Sequence, residues 1–252
     1  LLSGTIFNWI NSSFDWRACW WFVVISTIVT IVVVLMFVVN KPSDIGQIPD
    51  GKDYEHELSS NRFSKVYKVV GNVPVKAILK DRRVWLIMAS LVFMRFSYNI
   101  CVTQGMAHLI DQHLDTIVAA SAVGSMTLVG VGGRLIAGAI GDKVEPRLIW
   151  AGGMVVMAFG IIALWFATDA VHMWLYAALV GIGFGFSYVT STVLIANYYG
   201  ADSYTLLMSF MFPVQFILGA LGPTFAGVVY DVAGSYSFAF LVSIVMVAIS
   251  VV

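Results

Sequence analysis

Long apolar runs recur along this chain, and they constrain its fold more than any other feature. A helix needs roughly 20 residues to cross a hydrocarbon core about 30 Å thick. Trp20 to Val39 meets that length with no charge at all. Val84 to Ala107 and Ile117 to Ile140 meet it with one arginine each. Leu148 to Ala167, Met173 to Asn197 and Leu206 to Val229 follow, and Ser237 to Val252 is a shorter seventh run. In lipid the backbone must satisfy its own hydrogen bonds, which a helix does within each segment. Composition agrees: 60% of the 252 residues are hydrophobic and 11% are charged, against about 25% charged in soluble domains. The expectation is an all-α, multi-pass integral membrane protein of a plasma membrane or bacterial inner membrane.

The charges orient the runs. Of the 14 lysines and arginines, nine lie between Lys41 and Arg83, and Lys143 and Arg147 follow the third run. Two runs separate these loops, so both fall on one side. The opposite loops carry Asp15, Asp111, Asp115, Asp169 and Asp231, with Arg17 as their basic residue. Basic loops stay in the cytoplasm, so residues 41–83 and 141–147 are expected there. The segment from Asn40 to Gly51 holds two prolines and two glycines and breaks helix. Val73 to Asp81 suits a short amphipathic helix or a solvated linker, with Lys76 and Lys80 one turn apart.

Two arginines stand inside apolar runs, where a charge costs roughly 2.5–3.5 kcal/mol on insertion scales. Arg134 precedes Asp142 by eight residues, about 12 Å along a helix. Gly130, Arg134, Gly138 and Asp142 share one stripe. A guanidinium fork matches a carboxylate, so Arg134 is a candidate substrate contact; the alternative is a structural bond to a backbone carbonyl. Arg95 lies 12 residues past Arg83, roughly 18 Å along the helix and near the midplane. Tyr98 and Asn99 share its face. No acid in any run is an obvious partner, so Arg95 meets either substrate or a further part of the protein. Asp142, at the inner surface beside Lys143 and Arg147, can accept hydrogen bonds from a helix start and act as a gate. It can also be a plain water-side anchor.

The remaining signals exclude more than they assign. Zero net charge argues against a nucleic-acid binder working by bulk charge. Cys19 and Cys101 have no metal or redox spacing, so no metal or cofactor is expected. HExxH, nucleophile-elbow and P-loop patterns are absent, so neither an enzyme nor an ATP-driven pump is indicated. Gly181-x-Gly183-x-Gly185 follows no strand and reads as close helix packing, with a similar row at Gly133, Ala137 and Gly141. Pro213 and Pro223 suggest a bendable helix. His108 and His113 flank Asp111 and are expected to be solvated; the alternative is a part in moving a proton. A count of seven runs also admits a seven-helix receptor or signalling protein.

The stretch from Gly133 to Arg147, with Gly138, Asp142, Lys143 and Arg147 in place, resembles the loop signature of the major facilitator superfamily of secondary transporters. That resemblance covers nearly the whole chain. It implies a piece of a major facilitator helix bundle with about seven transmembrane helices, from helix six to a truncated helix twelve. Residues 1–16 would end helix five and its outer loop, 17–40 would be helix six, 41–83 the cytoplasmic central linker and 84–252 the C-terminal six-helix lobe. Three stretches resemble the oxalate/formate and monocarboxylate branch: Pro42 to Gly51, Gly133-Arg134, and Ile195 to Gly200. Glu145 stands where the signature usually has a second glycine. Gly130 and uncharged Gln215 stand where the branch would have a charged partner one turn before the helix-eight arginine, or a lysine in helix eleven. The implied function is alternating-access transport of a small mono- or dicarboxylate, by symport or antiport, with a proton as the candidate coupling ion. The alternative in the same family is another small solute, a drug or a sugar. Expected substrate contacts are Arg134, Arg95, Tyr98, Asn99 and Gln215, and the expected partners are the bilayer, the anion and the N-terminal half of the same transporter.

Overall fold

A computed structural model describes residues 10, 13–37, 78–141 and 143–251. Among them the extended regular elements are seven helices: α1 (Trp16–Phe37), α2 (Arg82–Asp111), α3 (Thr116–Gly141), α4 (Pro146–Trp165), α5 (Ala170–Tyr199), α6 (Ala201–Ala233) and α7 (Ser237–Ile249). Six have the length and composition to cross a membrane, and α7 is shorter. Within the described residues each apolar run of the sequence lies largely in a helix, and most helices begin a few residues before the run. Val38 and Val39, most of the linker including Lys76, and Asp142 lie outside the described residues. The expected surface helix from Val73 to Asp81 also falls there, save for residues 78–81.

The chain forms two compact units, Leu1–Ser64 and Lys65–Val252. In the first, α1 absorbs its hydroxyls internally. Ser26 and Thr27 donate to the Val23 carbonyl at 2.9 and 2.8 Å, and Thr30 donates to Ser26 at 2.8 Å. Such back-bonding lets polar residues ride in an apolar helix without an unpaired group.

The second unit holds α2 to α7. Short charged turns double as helix caps. Asp81 accepts from the Arg83 N–H at 2.9 Å, Asp115 from Ile117 and Val118 at 2.9 and 3.0 Å, and Asp169 from His172 at 2.9 Å. Each satisfies donors that a helix start leaves open. Pro146 opens α4 at a position that needs no N–H. Gly200 (φ 81°) separates α5 from α6, and Gly234 (φ 66°) ends α6, both with backbone angles a side chain resists.

Helix α5 is the centre of the lobe, packed on α3 along one side and α4 along the other. Glycines on alternate faces make this approach possible. A Cβ on Gly181 would meet the Met126 carbonyl oxygen at 2.5 Å, and one on Gly185 would strike the Gly130 carbonyl. A Cβ on Gly183 would meet the Gly153 oxygen and the Met157 nitrogen, each at 2.6 Å. The three glycines therefore serve two seams: Gly181 and Gly185 face α3, and Gly183 faces α4. In α3 the packed small residues are Gly130, Gly133 and Ala137, whereas Gly138 and Gly141 have no neighbour within 4 Å of an added Cβ. The α6 helix lies on α2, and α7 packs against both α2 and α4.

Two sets of cross-helix bonds mark the ends of this unit. At one end Tyr199 donates to Asp81 at 3.2 Å and Tyr198 to Glu145 at 3.4 Å, joining the starts of α2 and α4 to the end of α5. At the other, Tyr236 donates to Gln104 at 3.3 Å and the Trp165 indole donates to Ser237 at 3.2 Å. The first end carries the described basic residues Lys80, Arg82, Arg83, Lys143 and Arg147.

Candidate functional site

The α3–α5 seam decides what faces the interior. With glycines on both contact faces of α5, the bulky residue between them, Phe184, is driven inward and is 2% exposed. Tyr98 of α2 stacks on it, ring centroids 3.7 Å apart and planes 13° from parallel. Tyr188, one turn on, tilts against it at 5.6 Å. These rings form an aromatic wall that the sequence did not announce. Its one signal was a phenylalanine set among glycines.

Both membrane arginines approach this wall. The Arg95 guanidinium carbon lies 5.8 Å from the Phe184 centroid, and that of Arg134 lies 5.7 Å from the same centroid. Both guanidiniums are thus neighbours of the same aromatic side chain. Arg134 also lies 5.1 Å from the Tyr188 centroid, and Arg95 lies 4.2 Å from that of Phe216 in α6. A cation over an aromatic face gains about 0.5–2 kcal/mol, so the rings offset part of the cost of two charges in lipid. Neither arginine has an acidic partner within salt-bridge distance among the described residues. The Nε atoms of both are buried without a hydrogen-bond partner there.

The other expected contacts are placed differently. Asn99 donates its amide N–H to the Gly219 carbonyl of α6 at 3.0 Å. Gln215, 1% exposed, has both amide atoms buried without a partner among the described residues. It lies one turn before Gly219 on the α6 face that also carries Met211 and Ala226. His113 is exposed with φ 60°. His108 departs from the expected solvation: it is 6% exposed, edge-on to Phe240 at 5.0 Å and to Tyr236 at 6.2 Å. The reason is that α2 runs on to Asp111, which keeps position 108 on the same inward face as Cys101 and Gly105.

Of the signature residues, Asp142 lies outside the described residues. Gly138 and Lys143 are exposed. Arg147 Nε meets Glu145 Oε1 at 3.5 Å. Glu145, placed where the signature usually has glycine, thus engages Arg147 and also accepts from Tyr198.

Charged residues in an apolar six-helix lobe, with the basic signature loop at one end, match a known family over most of the chain. The model of the Major Facilitator Superfamily matches residues 1–223. The chain belongs to that superfamily. It is an integral, multi-pass membrane protein, which membership and the six apolar helices both support. It is also similar to an uncharacterized MFS-type transporter, YhjX, of Escherichia coli (strain K12), with 30% identity over 92 residues. That match takes in 36% of this chain and spans 23% of the relative's length.

Proposed function

We propose that this chain is one lobe and adjoining helix of a secondary active transporter that moves a small organic anion, a mono- or dicarboxylate, by alternating access. One observation carries the reading. Arg95 and Arg134 reach a common aromatic wall with buried Nε donors that no described group satisfies. An arginine fork is matched in shape and charge by a carboxylate. Arg134 is the primary anion contact and Arg95 the second cation of the site. Gln215 offers a neutral donor and acceptor nearby, and Tyr98 holds the wall. Family membership supports a transporter over a receptor. The resemblance of Gly133-Arg134 and of Ile195 to Gly200 to the oxalate/formate and monocarboxylate branch supports a carboxylate over a drug or sugar. The cavity is completed by a second lobe, the N-terminal half, and a proton is the co-substrate favoured by an anionic cargo.

The test is uptake by the full-length protein in proteoliposomes, using radiolabelled formate, acetate, oxalate and succinate with and without an imposed proton gradient. Accumulation of at least one of them is the expected result. Uptake of a neutral sugar or a cationic drug with none of the four carboxylates would replace the anion reading.

A further inference from the structure

Helix α6 meets α2 tightly beside a proline: a Cβ on Gly222 would lie 2.6 Å from the Phe96 carbonyl oxygen. Pro223 has no backbone N–H, so the carbonyl of Gly219, four residues earlier, loses its helical donor. An unpaired carbonyl in an apolar interior is costly. The side-chain amide of Asn99 supplies the missing donor at 3.0 Å. Five residues on, Gln104 donates to the Pro223 carbonyl at 3.3 Å, so two amides of α2 hold the turn that contains the proline.

Gly219 is also the floor under Arg95. A Cβ there would lie 2.6 Å from Arg95 Cγ and 3.1 Å from its Cβ. Phe216, one turn earlier in α6, covers the guanidinium at 4.2 Å. Asn99 stands one turn after Arg95 on α2. Thus one hydrogen bond ties the backbone that bounds the Arg95 stem to the helix that carries Arg95. We propose that Asn99 is a positioning residue: it replaces the N–H that Pro223 lacks, clamps Gly219 against α2, and so sets where the Arg95 guanidinium points. The bond stands on geometry alone; its consequence for anion binding rests on the function proposed above.

The experiment is a double-substitution cycle in the full-length protein, purified in detergent, with Asn99→Leu, Pro223→Ala and both together. Two readouts are taken. One is the thermal unfolding midpoint. The other is the rate at which phenylglyoxal modifies Arg95, followed by mass spectrometry with Arg134 as internal reference. Asn99→Leu should lower the midpoint and raise the Arg95-to-Arg134 rate ratio several-fold. In the Pro223→Ala background the same substitution should do neither, because the alanine N–H now completes the Gly219 carbonyl. Equal effects of Asn99→Leu in both backgrounds would overturn the proposal, since a side chain that only packs is indifferent to the proline. A midpoint that compensates while the rate ratio never moves would overturn the positioning role. If Asn99→Leu yields no folded protein, the double variant is expected to restore it, and failure to restore it also counts against the bond. Protection of either arginine by formate or oxalate is measured in the parent protein; its absence would sink the anion reading while the cycle still decides Asn99.

Discussion

An arginine in an apolar helix needs a reason to stay charged there. Arg134 finds two aromatic faces and no acid among the described residues; on the function proposed above, its fork meets the incoming anion. Lysine keeps the charge but presents a point rather than two parallel donors. Arg134→Lys is therefore expected to weaken carboxylate uptake affinity about tenfold to a hundredfold, the equivalent of one charge-assisted hydrogen bond of roughly 1.5–3 kcal/mol. The amount of folded protein should stay the same. Measuring expression and apparent affinity on the same samples separates this from a structural arginine, which would lose folded protein and leave the survivors' affinity unchanged.

At the scale of elements, the glycine seams make a prediction between adjacent residues. A Cβ on Gly133 would lie 2.9 Å from the Ile182 carbonyl oxygen, whereas one on Gly132 meets nothing within 4 Å. Gly133→Ala should separate α3 from α5 and cost about 1–3 kcal/mol, as overpacking does. Gly132→Ala should be neutral or stabilise by up to about 1 kcal/mol through helix propensity. Thermal melts of the two full-length variants decide this, and equal midpoints would remove the seam from the account. The start of α5 adds a pH dependence. The His172 backbone N–H, and then its ring at 2.8 Å, hold the Asp169 carboxyl below its ordinary value. A carboxyl depressed in the folded state stabilises fully above its unfolded value and loses that contribution as pH falls through the folded one. The cap's contribution should thus persist at neutral pH and be lost only as pH falls below the ordinary carboxylate range. Asp169→Asn, which still caps but cannot titrate, should flatten that part of the acid melting profile.

For the whole molecule, alternating access requires one end of the bundle to close and reopen. Tyr199–Asp81 and Tyr198–Glu145 tie three helix ends within this unit at the basic-loop side. Asp142 lies outside the described residues; the gate role expected of it from the sequence has a test of its own. Asp142→Asn in the full-length protein should insert normally, because a neutral side chain is cheaper near lipid, and should transport far more slowly. Wild-type uptake rates in that variant, at matched membrane amounts, would reduce Asp142 to an anchor.

Span number and helical character were both written in the linear chain. Each depends on local quantities: the length of an apolar run, an aspartate or glycine at a turn. Arg95 and Arg134 were visible for the same reason, since a charge stands out against an apolar run wherever the helix lies. Their surroundings were not visible. Nothing in the spacing of Phe184, Tyr98 and Phe216 says that three helices bring these rings to two guanidiniums. Nor did the sequence distinguish Asn99, bonded to the carbonyl that Pro223 leaves open, from a side chain free to meet substrate. His108 was expected in water and lies in the interior. These outcomes are set by which face of each helix meets which neighbour. In this lobe glycines settle that choice, because backbones that touch leave one rotation of α5 between α3 and α4.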